Sequence, residues 1–268
     1  MKKIRALVLL SLITVFFGCA GAAGTRENKG DIMVYAYTKA QIEQEIDNNW
    51  RAMGYSSRPD KFIAISFDDG PCGPSASGGT QAMLDKLDEL KIKATFFLIG
   101  QNIRANKAEA RSIFNAGHEL GNHSNSYSSL GKADKEDIEE SLDSASLLIK
   151  EITGKNPPLF RAPNLNHGIE LTQVCMERGM SLIDGSVHGD WDGTGHTPQS
   201  ITESVLSNPR DGQIIILHEN NTSKGNTMEA LAGITAGLRE KGFWILSVGQ
   251  LAAVKGETLE AGTRYSSI

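Results

Sequence analysis

The chain has 268 residues, enough to bury one sizeable core, and its content of 40% apolar and 22% charged residues is ordinary for a globular domain. Its formal net charge of −5 argues against nucleic acid as a partner. The sequence contains no glycine-rich dinucleotide or phosphate fingerprint, so a nucleotide-binding fold has no support.

The first residues follow the pattern of an export signal. A basic start precedes an apolar stretch, residues 6–17, which is short for a transmembrane helix. Gly18-Cys19 then resembles a bacterial lipoprotein box, although Phe16-Phe17 stands where smaller residues are usual. We expect a signal peptide over residues 1–18 and a lipidated Cys19 that anchors an exported protein facing the periplasm or cell surface. The alternative is an ordinary cleaved signal with an incidental cysteine.

Three further segments flank or precede the main domain. Residues 19–37 show no persistent periodicity and are predicted to be a lipoprotein tether. Residues 38–60 form a helical extension, because Ile42 and Ile46 begin an apolar series at helical spacing that we expect to pack on the domain. Residues 257–268 form a polar tail that we expect to be frayed.

A Cys72–Cys175 disulfide is possible in an exported protein. The helical segment around Cys175 instead favours a buried apolar role for that residue.

From residue 61 to residue 256, predicted strands and helices alternate. The predicted strands are Lys61–Phe67, Ala94–Ile99, His118–Asn122, Leu159–Arg161, Met180–Ile183, Gln213–Leu217 and Phe243–Leu246. The predicted helices are Thr80–Leu90, Arg104–Ala116, Asp134–Ile152, Leu171–Arg178, Ser200–Leu206, Thr227–Lys241 and Val248–Val254. Strands that are apolar without alternation are typical of a parallel sheet. About seven such units favour a single-domain α/β barrel over an open doubly wound sheet.

Unusual polar residues follow five of these strands. They are Asp68-Asp69, His123-Ser124, Arg161, Asp190-Trp191 and His218. Each alone has an ordinary explanation, such as a solvated turn or a hydrogen-bonded structural histidine. Since the active sites of such barrels lie at the carboxyl ends of the strands, five together favour one site.

The chemistry that needs this set is metal-assisted hydrolysis. A carboxylate and an imidazole suit Zn²⁺ or a similar cation, which acidifies water and polarises a carbonyl oxygen. A second carboxylate can accept the proton of water, while a separate histidine protonates the leaving group. An arginine can orient the basic carboxylate and keep it ionised.

At this point the chain resembles the polysaccharide deacetylases of the NodB-homology type, carbohydrate esterase family 4. The resemblance rests on five motifs in order: Ser66-Phe67-Asp68-Asp69-Gly70-Pro71, Gly117 to Ser124, Arg161-Ala162-Pro163-Asn164, Asp190-Trp191 and Leu217-His218. It implies a distorted (β/α)7-type barrel over residues 61–256. It also implies a metal-dependent deacetylase that removes N- or O-linked acetyl groups from a glycan. The metal would be Zn²⁺, or alternatively Co²⁺ or Ni²⁺, and we expect a monomer.

The resemblance assigns roles residue by residue. They are general base (Asp68), metal ligands (Asp69 and His123), general acid (His218), orientation of the base (Arg161), control of His218 protonation (Asp190) and substrate contact (Trp191, Asn164 and Leu217). His118 matches a position that looks structural, so we leave it out of the site.

Two departures from the family pattern bear on activity. Tyr127 stands where the third metal ligand is expected, so the metal could be weakly held, bound by the phenolate or completed by water. Asn164 replaces an aromatic residue of the third motif. A catalytically weakened carbohydrate-binding lipoprotein is therefore the alternative function. A two-carboxylate glycosidase fits poorly, because Asp68 and Asp69 are neighbours and the histidines would lack a role.

Overall fold

The computed structural model describes residues 25–29, 32–74, 79–189, 196–219 and 225–268. The predicted signal peptide and Cys19 lie outside these residues. Strands β1 (Thr25–Lys29) and β2 (Ile32–Ala36) form an antiparallel hairpin in the segment that we expected to be a tether. The backbone N–H of Met33 donates to the Asn156 carbonyl at 2.8 Å, and Met33 is buried. This part of the chain therefore rests on the domain.

Helix α1 (Lys39–Asn49) packs the N-terminal extension against the domain. It begins at Thr38, whose hydroxyl accepts a hydrogen bond from the backbone N–H of Gln41. Ile42 and Ile46 face inward and are buried in the same core cluster as residues of the C-terminal helix. The extension thus contributes to the hydrophobic core.

The βα units follow in the predicted alternation. In chain order they are β3 (Lys61–Gly70), α2 (Gly79–Glu89), β4 (Thr95–Leu98), α3 (Gly100–Ala105), α4 (Lys107–Asn115), β5 (Glu119–Asn122), α5 (Lys135–Thr153), β6 (Leu159–Phe160), α6 (Ile169–Glu177), β7 (Ser181–Ile183), β8 (Val187–His188), α7 (Pro198–Leu206), β9 (Ile214–His218), α8 (Asn226–Glu240), β10 (Phe243–Leu246), α9 (Val248–Lys255) and β11 (Arg264–Tyr265). The helix predicted over Arg104–Ala116 is two helices, because Asn106 leaves the helical region at φ −134° and ψ 53°.

The strands form one parallel sheet that curls as the predicted (β/α)7-type barrel. Its order is β11-β7-β6-β5-β4-β3-β9-β8, with β10 also beside β3. Side chains of β3, β4 and β9 are almost all buried, which explains their continuous apolar runs. None of the helices in the described ranges has the length and apolar character of a bilayer span.

The C-terminal tail is ordered against the sheet, contrary to the frayed tail that we expected. β11 pairs in parallel with β7, and the backbone N–H of Ile268 donates to the Gly212 carbonyl at 2.8 Å. Polar side chains misled the prediction, because backbone pairing to an open sheet edge needs no apolar sequence.

Glu119 is a buried carboxylate at the amino-terminal edge of the sheet. It accepts hydrogen bonds from the hydroxyls of Thr95 and Ser247, both at 2.7 Å, and from the backbone N–H of Gly249 at 3.0 Å. Since catalytic groups of such barrels lie at the opposite edge, this acid joins strands to α9 and has a structural role.

Replacing Ile46 by alanine tests whether the extension belongs to the domain. Ile46 is fully buried, so Ile46→Ala should lower the free energy of unfolding by about 2–5 kcal/mol, measured by urea denaturation. Gln44→Ala, on the exposed side of α1, is the control and should change it by less than about 0.5 kcal/mol. Equal small effects would show that the extension is dispensable.

Candidate active site

A bulge at the end of β3 brings two adjacent carboxylates to one side of the strand. The register with β4 shifts between Phe67 and Gly70, and Asp69 takes a positive φ of 71°. We expected the strand to end at Phe67, whereas it continues to Gly70 through this irregularity. The positive φ breaks the alternation that would otherwise send Asp68 and Asp69 to opposite faces.

Asp68 forms a buried ion pair with Arg161. Arg161 follows β6 directly, and its Nη1 donates to Asp68 Oδ1 at 2.6 Å and to Ser66 Oγ at 2.8 Å. Its Nε donates to the Ile183 carbonyl at 2.8 Å, and the guanidinium lies 4.1 Å from the ring centroid of Phe97. Contacts from several strands therefore fix the direction of this charge.

The ion pair keeps Asp68 ionised despite its burial. Burial alone would raise the pKa of Asp68, but the charge of Arg161 and its hydrogen bond lower it below its ordinary value. A buried carboxylate that remains charged can accept a proton, as a general base must.

His123 presents one ring nitrogen to Asp69. Its Nδ1 lies 2.8 Å from the Arg161 carbonyl, which assigns the proton to Nδ1 and leaves Nε2 as an acceptor. Nε2 lies 3.5 Å from Asp69 Oδ1, longer than a good hydrogen bond. Two acceptors that converge without bonding each other are the donor set of a divalent cation, so Asp69 and His123 fit the predicted metal.

Tyr127 lies at the mouth of the same pocket and is 49% exposed. The side-chain amide of Asn102 donates to the Tyr127 hydroxyl at 3.1 Å and to the Asp69 carbonyl at 2.7 Å. Among the described residues, no three His, Cys, Asp or Glu side chains form a metal-binding group. Within the described part of the chain, Asp69 and His123 thus lack a third ligand of these four types, and Tyr127 lines the same pocket.

The pocket has a volume of about 360 Å³ and opens at the carboxyl ends of the strands. Its lining includes both carboxylates and both histidines of the predicted site, with Tyr127, Asn164 and Ile216. Leu217, which we predicted to contact substrate, instead lies fully buried in the core under the helices. Alternate residues of a strand face opposite sides, so Ile216 and His218 line the pocket and Leu217 cannot.

The remaining predicted positions divide into three outcomes. His218 is paired in register with Asp68 at the end of β9. Asp190 and Trp191 lie outside the described residues. His118 is buried away from the site: its Nδ1 accepts from the backbone N–H of Ala94, and burial lowers its pKa to about 3, so it stays neutral.

Both described cysteines are free. Cys175 lies in α6 and is buried in the core, as an apolar residue would be, whereas Cys72 follows the first motif. The disulfide that we considered is therefore not formed.

Sequence reasoning missed two acidic residues near the site. Asp184 follows β7 directly, so the strand-end criterion that selected the other residues could have found it. Glu219 follows His218, and one of its carboxylate oxygens is buried without a hydrogen-bond partner among the described residues. The hydroxyl of Thr80 donates to the other oxygen. Burial raises the pKa of Glu219 to about 7, although Thr80 partly opposes the shift.

Comparison with known proteins gives a consistent family. The family model described as polysaccharide deacetylase matches residues 55–183. A peptidoglycan-N-acetylglucosamine deacetylase of Bacillus cereus is 32% identical over 200 residues, covering 73% of this chain and 90% of that protein. A bifunctional xylanase/deacetylase of Pseudobutyrivibrio xylanivorans is 34% identical over 78% of this chain, but this chain spans only 33% of that protein.

A solved structure has a similar fold. It is a family 4 acetyl xylan esterase from Clostridium thermocellum in complex with a cobalt ion. The two share 32% identity with a TM-score of 0.71, covering 78% of this chain and 99% of that one.

Glu219 should make stability depend on pH. Its pKa is raised on folding, so its contribution is present below about pH 4.5 and is lost as the pH rises through about 7. As the pH rises from 4.5 to 8, the free energy of unfolding of Glu219→Gln should therefore increase relative to that of the unmodified protein, by on the order of 2 kcal/mol. Urea denaturation across this range measures the difference. Exposed Glu229→Gln is the control, and equal profiles for both variants would contradict the burial of Glu219.

Proposed function

The chain belongs to the polysaccharide deacetylase family, and we propose that it is a hydrolase that removes acetyl groups from a polysaccharide or oligosaccharide. The observation that carries this proposal is the ionised Asp68 in a pocket shared with His218. A base and a separate acid in one pocket are what hydrolysis of an amide or ester requires.

The chain's own groups supply the proton transfers. Asp68, oriented by Arg161 at 2.6 Å, accepts the proton of the attacking water. His218, next to Asp68 across the sheet, donates a proton to the leaving nitrogen or oxygen. The partly enclosed pocket limits competing water and strengthens the electrostatic contacts inside it.

Metal dependence is the finer part of the proposal. Asp69 and His123 would hold a divalent cation, Zn²⁺ or alternatively Co²⁺ or Ni²⁺. When bound, this cation supplies Lewis-acid polarisation of the acetyl carbonyl and acidifies water. The acceptor Nε2 of His123, set by the Arg161 carbonyl, supports this assignment.

Both N-acetyl and O-acetyl substrates remain within the proposal. The relatives include a protein named for peptidoglycan N-acetylglucosamine and one named for acetyl xylan.

We further propose that the protein is exported and held at the membrane by lipid on Cys19, since the basic and apolar start followed by Gly18-Cys19 supports export and lipidation.

A second candidate is a glycan-binding protein with little or no turnover. It is favoured by the sequence, in which Tyr127 stands four residues after His123, where the family resemblance leads us to expect a third ligand. The retained Asp68–Arg161 pair favours the enzyme, because a binding protein gains nothing from a buried base that must be kept ionised.

Acetate release tests the function directly. The protein should release acetate from acetylated xylan or from N-acetylglucosamine oligomers, and chelator should abolish this until Zn²⁺, Co²⁺ or Ni²⁺ is restored. Asp68→Asn should lower kcat by about 10²–10⁴-fold because the general base is lost. It should still bind metal, measured by calorimetry.

The control for that variant is Asp85→Asn, on the outward side of α2, which should keep full activity. No acetate from either substrate class with any of these metals would rule out the deacetylase and leave the binding protein. Full activity in Asp68→Asn would overturn the assignment of the base.

Tyr127→His tests the third ligand position. If the phenol is a weak ligand, an imidazole there should raise the affinity for Zn²⁺ or Co²⁺ by about tenfold or more, measured by calorimetry and by the visible spectrum of bound Co²⁺. Tyr127→Phe keeps the ring and removes the oxygen, so it should lower the affinity. Unchanged affinity in both variants would mean that Tyr127 does not touch the metal.

A further inference from the structure

Three side chains from distant parts of the chain meet at the carboxyl end of β7. Asp184 follows β7 and is 8% exposed. Its Oδ1 lies 2.6 Å from His167 Nε2, and its Oδ2 lies 2.7 Å from Arg264 Nη2 and 3.1 Å from Arg264 Nε. Burial opposes the charge of Asp184, but His167 and Arg264 outweigh it and lower its pKa. We call these three residues the Asp184 cluster.

His167 closes the segment that forms one wall of the pocket. Residues 162–165 all line the pocket, and the backbone N–H of Leu165 donates to the Ala162 carbonyl at 2.9 Å. Asn164 and Leu165 take positive φ values of 56° and 50°. Non-glycine residues hold such strained conformations only where surrounding contacts impose them.

The two ends of this wall are anchored differently. Arg161 fixes the first end through Asp68 and the Ile183 carbonyl. At the other end, an exposed hydrogen bond joins Asn166 to Ser129, and His167, whose side chain is only 7% exposed, contacts Asp184. The Asp184 contact is thus the buried anchor of the second end.

Arg264 brings the C-terminal segment into this arrangement. β11 pairs with β7, and the backbone N–H of Asp184 donates to the Tyr265 carbonyl at 2.8 Å. The same strand β7 provides the Ile183 carbonyl that accepts from Arg161. The C-terminal segment therefore contacts Asp184, which holds the pocket wall. It also pairs with β7, whose Ile183 carbonyl holds the arginine that orients Asp68.

We propose that His167, Asp184 and Arg264 are positioning residues, through which the C-terminal segment holds the pocket wall of residues 162–167 in its catalytic shape. This inference rests on the proposed deacetylase function. The cluster acts through the wall, where small displacements affect the transition state more than substrate binding.

Variants of His167 separate its polar contact with Asp184 from simple packing. His167→Leu removes the polar nitrogen, whereas His167→Gln can place an amide group near the position of Nε2. In the full chain, His167→Leu should lower kcat for acetate release by about tenfold, with KM changed by less than about threefold. His167→Gln should restore most of the loss. Equal loss in both variants would overturn the role of the polar contact.

Arg264→Met tests the contribution of the tail against a matched surface pair. Arg178 holds Asp143 through Nε and Nη2, both at 3.0 Å, and lies away from the pocket. Arg264→Met should lower kcat by several-fold, whereas Arg178→Met should leave it unchanged. Similar kcat in both variants would overturn the role of Arg264.

Hydrogen exchange gives a readout that does not need turnover. The amides of residues 164–167 should exchange about tenfold faster in His167→Leu and Arg264→Met, and at the original rate in Arg178→Met. Unchanged exchange in the first two variants would overturn the proposal. If the unmodified protein releases no acetate, the proposed function fails, yet faster exchange would still support the cluster as the anchor of this wall.

Discussion

The site depends on one buried ion pair, Asp68 with Arg161. Its Nη1–Oδ1 distance of 2.6 Å joins the end of β3 to the end of β6. Removing either partner would leave an uncompensated buried charge, which costs several kcal/mol. The same arginine residue, through its backbone carbonyl, sets the proton of His123 on Nδ1 and so leaves Nε2 as an acceptor that faces Asp69. One residue thereby holds a buried carboxylate with its side chain and orients an imidazole with its backbone.

Much of this arrangement can be predicted from the sequence, because position along a parallel strand implies position in space. The alternation of apolar strands with helices predicted the barrel, and the polar residues at the strand ends placed Asp68, His123, Arg161 and His218 at one edge. Local backbone geometry decided the remaining positions. A bulge moved Asp69 to the side of Asp68, and a strand-end rule alone did not reveal that Leu217 faces the helices while Ile216 faces the pocket.

The contacts made by polar or irregular segments could not be predicted. The tail pairs through backbone groups, which leave no apolar pattern in the sequence. Asp184 was passed over because its partners, His167 and Arg264, lie 17 and 80 residues away along the chain. Tyr127 shows the opposite case: its position was clear from the sequence, whereas its hydrogen bond from Asn102 required coordinates.

The pairing of β3 also governs when this site can form. β3 lies early in the chain, yet its hydrogen-bonded neighbour β9 lies far along it, and the Ser66 hydroxyl bonds a carbonyl 149 residues away. Closing so long a loop costs conformational entropy before the contacts between its two ends can stabilise it. A high contact order therefore slows folding. The edge of β3 that pairs with β9 therefore stays unpaired until β9 is available. This is the strand that carries both carboxylates. We therefore expect completion of the pocket to be a late event in folding, and a chain made from its amino end has no pocket until β9 has been synthesised.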